Sequence, residues 1–231
     1  QNQAHHRIEQ AEENDVARHG AEILDAAAEG VAEVGEAVRV AREVSGAEKV
    51  SFRVPRSWSV YHLPTGAADR LSPSSPGDVQ LIWSTGFDAD PNATVDHLEA
   101  MANYGQVVVE NAVGVAAVYQ VQGSYNQKLS LTEARKAPLG VDPLYVPDDV
   151  RSLVEIISYK PFTRFKGVEG SQVRFNMRAR SDAPWSTYEM VALIDQSHYR
   201  MYTFIVGCIG RCFEDHQSSL ADVVNSWRIE K

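Results

Sequence analysis

The amino-acid sequence predicts an α+β fold: a three-layer α/β/α sandwich with a mostly antiparallel central sheet, preceded by a long N-terminal helix. Three observations predict it. In "EMVALI" (189–194) and "YTFIV" (202–206) apolar residues occupy both alternating faces. A strand open to water on one side carries a polar residue at every second position, so these strands are covered above and below. The late strands follow one another through short turns, which makes neighbours antiparallel. Residues 7–44 are rich in Ala and Glu and lack proline, a helix-forming composition that sets the first fifth of the chain apart.

That segment comes first. Leu24, Val31 and Val38 recur every seven residues, with Ala27, Val34 and Ala41 three positions behind each, an a/d seam over three heptads. The seam is thin, and Gly20, Gly30 and Gly35 each weaken a helix by roughly 1 kcal/mol. Residues 1–47 are therefore expected to form a helical spacer, with weak self-association through residues 24–41. From 48 to 231 a globular domain is expected. "KVSFRVPRSWSVYHL" (49–63) reads as two short strands around Pro55, and 64–78 as loop. "VQLIWST" (79–85) is a strand. Residues 90–105 carry helix punctuation, with Asn92 or Thr94 as cap and Gly105 past the end. Strands follow in "QVVVEN" and "VGVAAVYQV". Residues 122–149 form a long connection with one helical stretch near 132–136. Four strands are expected at 152–159, 171–180, 186–195 and 199–207. A last helix over 213–227 lines up Phe213, Leu220, Val223, Val224 and Trp227.

Bulk composition narrows the function. The chain has 231 residues, 44% hydrophobic and 23% charged, enough for one substantial core. Its formal net charge is −9, and residues 1–49 alone hold 11 acidic against 5 basic side chains. A duplex-binding protein needs a basic face to displace counterions, so a nucleic-acid role is disfavoured. No run approaches the roughly 18 apolar residues of a membrane-spanning helix. The chain starts at Gln1 rather than Met, which is compatible with an N-terminal anchor outside this sequence.

The order of elements, "P-x-x-W" at Pro55 and Trp58, "YTFIV" at 202–206 and the ending "VVNSWRI" (223–229) resemble the PsbP-like α/β/α sandwich. That fold is shared by PsbP extrinsic proteins, the Ran-binding Mog family and DcrB-type bacterial envelope proteins. The resemblance covers roughly residues 50–231 and implies a binding or assembly module with no catalytic motif held in common.

Candidate chemistry is sparse. Cys208 and Cys212 lie four apart in "VGCIGRCFEDHQ" (206–217), with Gly207 before the first and Gly210 between them. With His216 they are spaced as zinc ligands on one helix face, but no second ligand pair exists, and three intervening residues rule against a redox C-x-x-C. A local disulfide across a strand-to-helix bend, with Cα atoms roughly 5–6 Å apart, is the preferred reading. It favours an oxidising compartment, periplasmic or secreted. In "RFNMRAR" Arg174, Arg178 and Arg180 share one side and are suited to an acidic partner; the alternative is a face neutralised by Glu189. Trp185 in the turn "SDAPWS" and Tyr145 are candidate anchors for a partner protein. No catalytic residue, cofactor or metal is assigned. Two functions follow: a non-catalytic extracytoplasmic module acting through protein–protein contacts, or a hydrolase or small-ligand enzyme with 122–149 as a lid. The second demands a pocket under that connection where His, Asp or Glu converge.

Overall fold

Alternating, β-branched-rich segments pair into two sheets in the computed structural model, which describes residues 31–34, 37–45, 48–62, 79–102, 110–121 and 128–230. In chain order these are β1 (Val31–Val34), β2 (Ala37–Ser45), β3 (Glu48–Pro55), β4 (Ser59–His62), β5 (Val79–Asp88), α1 (Val95–Ala102) and β6 (Val113–Val121). Then come α2 (Leu131–Lys136), a 3₁₀ turn (Arg151–Leu153), β7 (Val154–Phe162), β8 (Val168–Met177), β9 (Ser186–Asp195) and β10 (Arg200–Ile209). The chain closes with α3 (Gly210–Asp215), α4 (Gln217–Ser226) and β11 (Arg228–Glu230).

The large sheet has the order β4-β5-β6-β10-β9-β8-β7, with every neighbouring pair antiparallel. Its middle strands β9 and β10 are buried along almost their whole length, as the two-faced apolar pattern requires. On one face Val173, Phe175, Met190, Met201 and Ile205 pack with Leu98 and Met101 of α1 and with Leu129, Ala134 and Leu139 of the connection after β6. On the other, Phe87, Leu193, Tyr202 and Phe204 pack with Phe52 and Val54 of β3 and with Phe213, Leu220, Val223, Val224 and Trp227. The stripe expected on the last helix is thus buried throughout, though His216 divides it into α3 and α4. Trp58 closes a turn by donating its N–H to Pro55 O at 3.0 Å and stacks on Phe87, centroids 5.9 Å apart. Gly86 marks a close approach: a Cβ there would stand well inside contact distance of Leu98 Cδ1, so the Leu98 side chain would have to shift.

The long N-terminal helix is the main correction. From Val31 onward the segment is sheet, with β1 paired to β2 and β2 to β3, Val38 opposite Val54 and Val40 opposite Phe52. "AVRVAREV" fits both a heptad and a period of two. Its β-branched valines and the flanking glycines favour the extended form once β3 supplies a pairing edge. Val31, Val34, Val38 and Ala41 of the expected seam are therefore strand residues; residues 1–30, with Leu24 and Ala27, lie outside the described residues. A second finding follows. One outer layer is mixed, built from α3, α4 and a four-stranded sheet of order β1-β2-β3-β11, rather than from helices alone. Glu48, 5% exposed, ties this sheet to the large one by accepting from the Tyr202 hydroxyl and the Arg200 guanidinium. A buried carboxylate is tolerable there because both partners reach it.

The expected loop at 64–78 and most of the expected strand at 106–111 lie outside the described residues.

Candidate binding site

The connection between β6 and β7 is built from the inside out. Ser130 and Glu133 form a capping box at the start of α2: the Glu133 N–H donates to Ser130 Oγ at 3.2 Å and the Ser130 N–H to Glu133 Oε2 at 2.6 Å. Gly140, at φ 70°, turns the chain off the helix in the left-handed region and donates its N–H to Lys136 O. Asp142 then accepts two guanidinium bonds from Arg135, Nε to Oδ1 at 2.9 Å and Nη2 to Oδ2 at 2.8 Å, with both residues buried. Such a fork fixes orientation as well as distance. Leu129 is fastened by its N–H to His198 O and by its carbonyl to His198 Nδ1, both at 2.9 Å. Leu129, Ala134, Arg135, Ala137, Leu139 and Asp142 are buried, so this part of the expected lid is fastened to the domain, while Tyr145 and Pro147–Asp149 stay exposed.

Between this connection and the end of β8 lies a groove of about 440 Å3, lined chiefly by Val141, Val146, Pro147, Val150, Leu153 and Met177, with Arg178 beside them. The convergent acids and bases demanded by the enzyme reading are missing from the groove: among the described lining residues the sole charged side chain is Arg178. The sequence reading missed the groove. Its signal was there in "VPDDVRSLV" (146–154), where apolar residues persist through a proline-broken loop that needs none for solubility.

The anchors expected from sequence are partly gathered here. The Arg178 guanidinium lies 4.2 Å from the centroid of the half-buried Trp185 ring and donates to Ser181 O at 2.6 Å and Ser152 O at 3.2 Å. Its Nε is buried and donates to no described residue. Tyr145, 72% exposed, adjoins groove-lining Val146, and the Arg135 guanidinium stands 5.9 Å from its ring centroid. The other two arginines are elsewhere. Arg174 donates to Glu189 at 2.6 Å and covers the Phe213 ring, so the neutralised-face alternative describes it. Glu189 also accepts from Gln172. Arg180 lies beyond the end of β8, exposed, and pairs with Asp182 at 2.7 Å. The row is split because β8 ends at Met177 and the alternation ends with it.

Cys208 and Cys212 are joined as a disulfide with Cα atoms 5.9 Å apart, so neither sulfur is free to ligate zinc. Cys212 lies inside α3 rather than ahead of it. Of the histidines, His97 Nδ1 is 2.7 Å from an oxygen of Asp88, whose carboxylate is fully buried and also accepts the backbone N–H groups of Asp90 (2.8 Å) and Thr94 (3.3 Å). Those bonds anchor the start of α1 to the end of β5. Nearby Tyr61 is raised above the ordinary tyrosine range by burial, with the Asp88 charge adding to it. His5, His6 and His19 lie outside the described residues.

No helix among the described residues is long and apolar enough to cross a membrane. No protein-family model matches the chain, and no curated protein matches it. Solved structures do. LpqN of Mycobacterium tuberculosis, involved in cell envelope biogenesis, is 9% identical with a TM-score of 0.45, over 85% of this chain and 93% of that one. Cyanobacterial PsbP (CyanoP) of Synechocystis sp. PCC 6803 is 12% identical with a TM-score of 0.43, over 86% and 95%. The Ran-binding protein Mog1p of Saccharomyces cerevisiae is 9% identical with a TM-score of 0.39, over 82% and 94%. The chain is thus similar to the PsbP-like and Mog-type structures that its sequence resembles.

Proposed function

We propose that this chain is a non-catalytic, extracytoplasmic binding module that docks a partner protein at the groove between residues 140–154 and the end of β8. The observation that carries the reading is the composition of that groove: apolar walls, one guanidinium at the rim, and an exposed tyrosine beside it. An apolar side chain of a partner fills such a cleft, while the Arg178 guanidinium beside it favours a carbonyl or carboxylate on that partner. Trp185 and Tyr145 supply flat aromatic area of the kind that dominates protein interfaces. The disulfide supports an oxidising compartment, because thiols this close in sequence stay reduced where thioredoxin and glutathione operate.

The test is capture of a partner from envelope extracts by the full chain. Val146→Arg, which fills the groove with charge, and Trp185→Ala are each expected to abolish retention of any discrete protein held by the wild type, with far-UV circular dichroism unchanged. Equal capture by all three chains overturns the reading.

A further inference from the structure

β7 is the last strand of the large sheet, and its outer edge pairs with no described strand. Residues 155–161 are exposed on both faces. Ile156, Ile157 and Tyr159, 40%, 49% and 51% exposed, are three of the six exposed large apolar side chains among the described residues. An edge of this kind is a template for another strand unless it is blunted. Pro161 offers no N–H and ends the usable stretch, which leaves residues 155–160.

That stretch is complementary to itself. The register against β8 slips between Ile156, opposite Phe175, and Ser158, opposite Arg174, so Ile157 is an inserted residue. Residues three or five apart in a regular strand point to opposite faces. Here the bulge cancels one step. Glu155, opposite Asn176, and Lys160, opposite Gln172, lie on one face; Ile156, opposite Phe175, and Tyr159, opposite Val173, lie on the other. Two copies laid antiparallel about a two-fold axis between residues 157 and 158 therefore set Glu155 against Lys160 of the second copy, twice, and Ile156 against Tyr159, twice. Each pair falls on a single face, as cross-strand partners must.

We infer that the β7 edge docks a second copy of this chain, joining two large sheets into one through Glu155–Lys160 and Ile156–Tyr159 pairs. The contact is isologous and closes on itself, so it yields a dimer rather than a fibre.

Sedimentation equilibrium on the full chain, from about 10 µM to about 1 mM at low salt where exposed charge pairs act, tests this. The wild type is expected to rise toward twice the chain mass. Glu155→Lys and Lys160→Glu each set like charges against each other at both contacts, and each alone is expected to stay monomeric. An equimolar mixture of the two variants restores opposite charges at both contacts and is expected to dimerise. Tyr159→Thr, which leaves the charges alone, is expected to weaken association about tenfold through its two lost contacts. A wild type that stays monomeric overturns the inference. So do single charge variants that associate like the wild type, a mixture that does not dimerise, or a Tyr159→Thr chain that is unaffected.

Discussion

At the residue scale the buried charge of Arg135 and Asp142 decides more than any exposed arginine. Asp142→Asn leaves a buried guanidinium without its counter-charge, and the expected loss is about 3–5 kcal/mol by urea denaturation. Replacing both residues with Met and Leu is expected to cost less than the single change, because nothing charged then remains inside. A second prediction concerns tyrosines. Burial pushes Tyr188 up to about 12, the Ser186 hydrogen bond pulling the other way. Burial, reinforced by the Glu48 hydrogen bond and charge, pushes Tyr202 higher still. Both stay neutral in the folded chain while their unfolded counterparts ionise near 10, so the unfolded state binds fewer protons above that pH. Their contribution is intact below pH 10 and falls as pH rises through the folded values. Tyr188→Phe is expected to flatten the loss by about 1.4 kcal/mol per pH unit between 10 and 12 in urea midpoints. The Arg174–Glu189 pair was legible in the sequence, since strand alternation alone places both on one face of adjacent strands. Arg178 over Trp185 was not, because it depends on how the turn after β8 curls, and no period encodes that.

At the scale of elements, the disulfide pins the exit of β10 to the first turns of α3. It closes so few residues that its effect on the unfolded chain is small. Cys208→Ser with Cys212→Ser is expected to cost under about 2 kcal/mol by thermal melting. Intact mass of protein from an oxidising compartment is expected to rise by two hydrogens on reduction. β9 and β10 could be read from sequence because their apolar runs are long and bounded by turns, and β8 because its residues alternate. β1 and β2 could not. The same valines satisfy a heptad seam and a strand, and the deciding influence is β3, a neighbour that local sequence does not reveal. The groove escaped for a related reason, since its walls come from a loop and a strand end that meet only after folding.

For the molecule as a whole, two cores on either side of one sheet make β9 and β10 the last segments to open. Amide exchange is expected to be slowest there, at the global limit, and fastest among the large-sheet strands in β7, whose exposed edge opens locally. The mixed outer layer has a further consequence. β11 pairs with β3 so that Arg228 faces Ser51, and Trp227, wholly buried, leans on Phe204 in the aromatic cluster with Phe52 and Phe87. Synthesis delivers these partners far apart in time. Until residues 227–230 arrive, a growing polypeptide carries that ring cluster without its tryptophan lid, and its completion is a chain-spanning step that leaves the intermediate open to holdases and to misassembly.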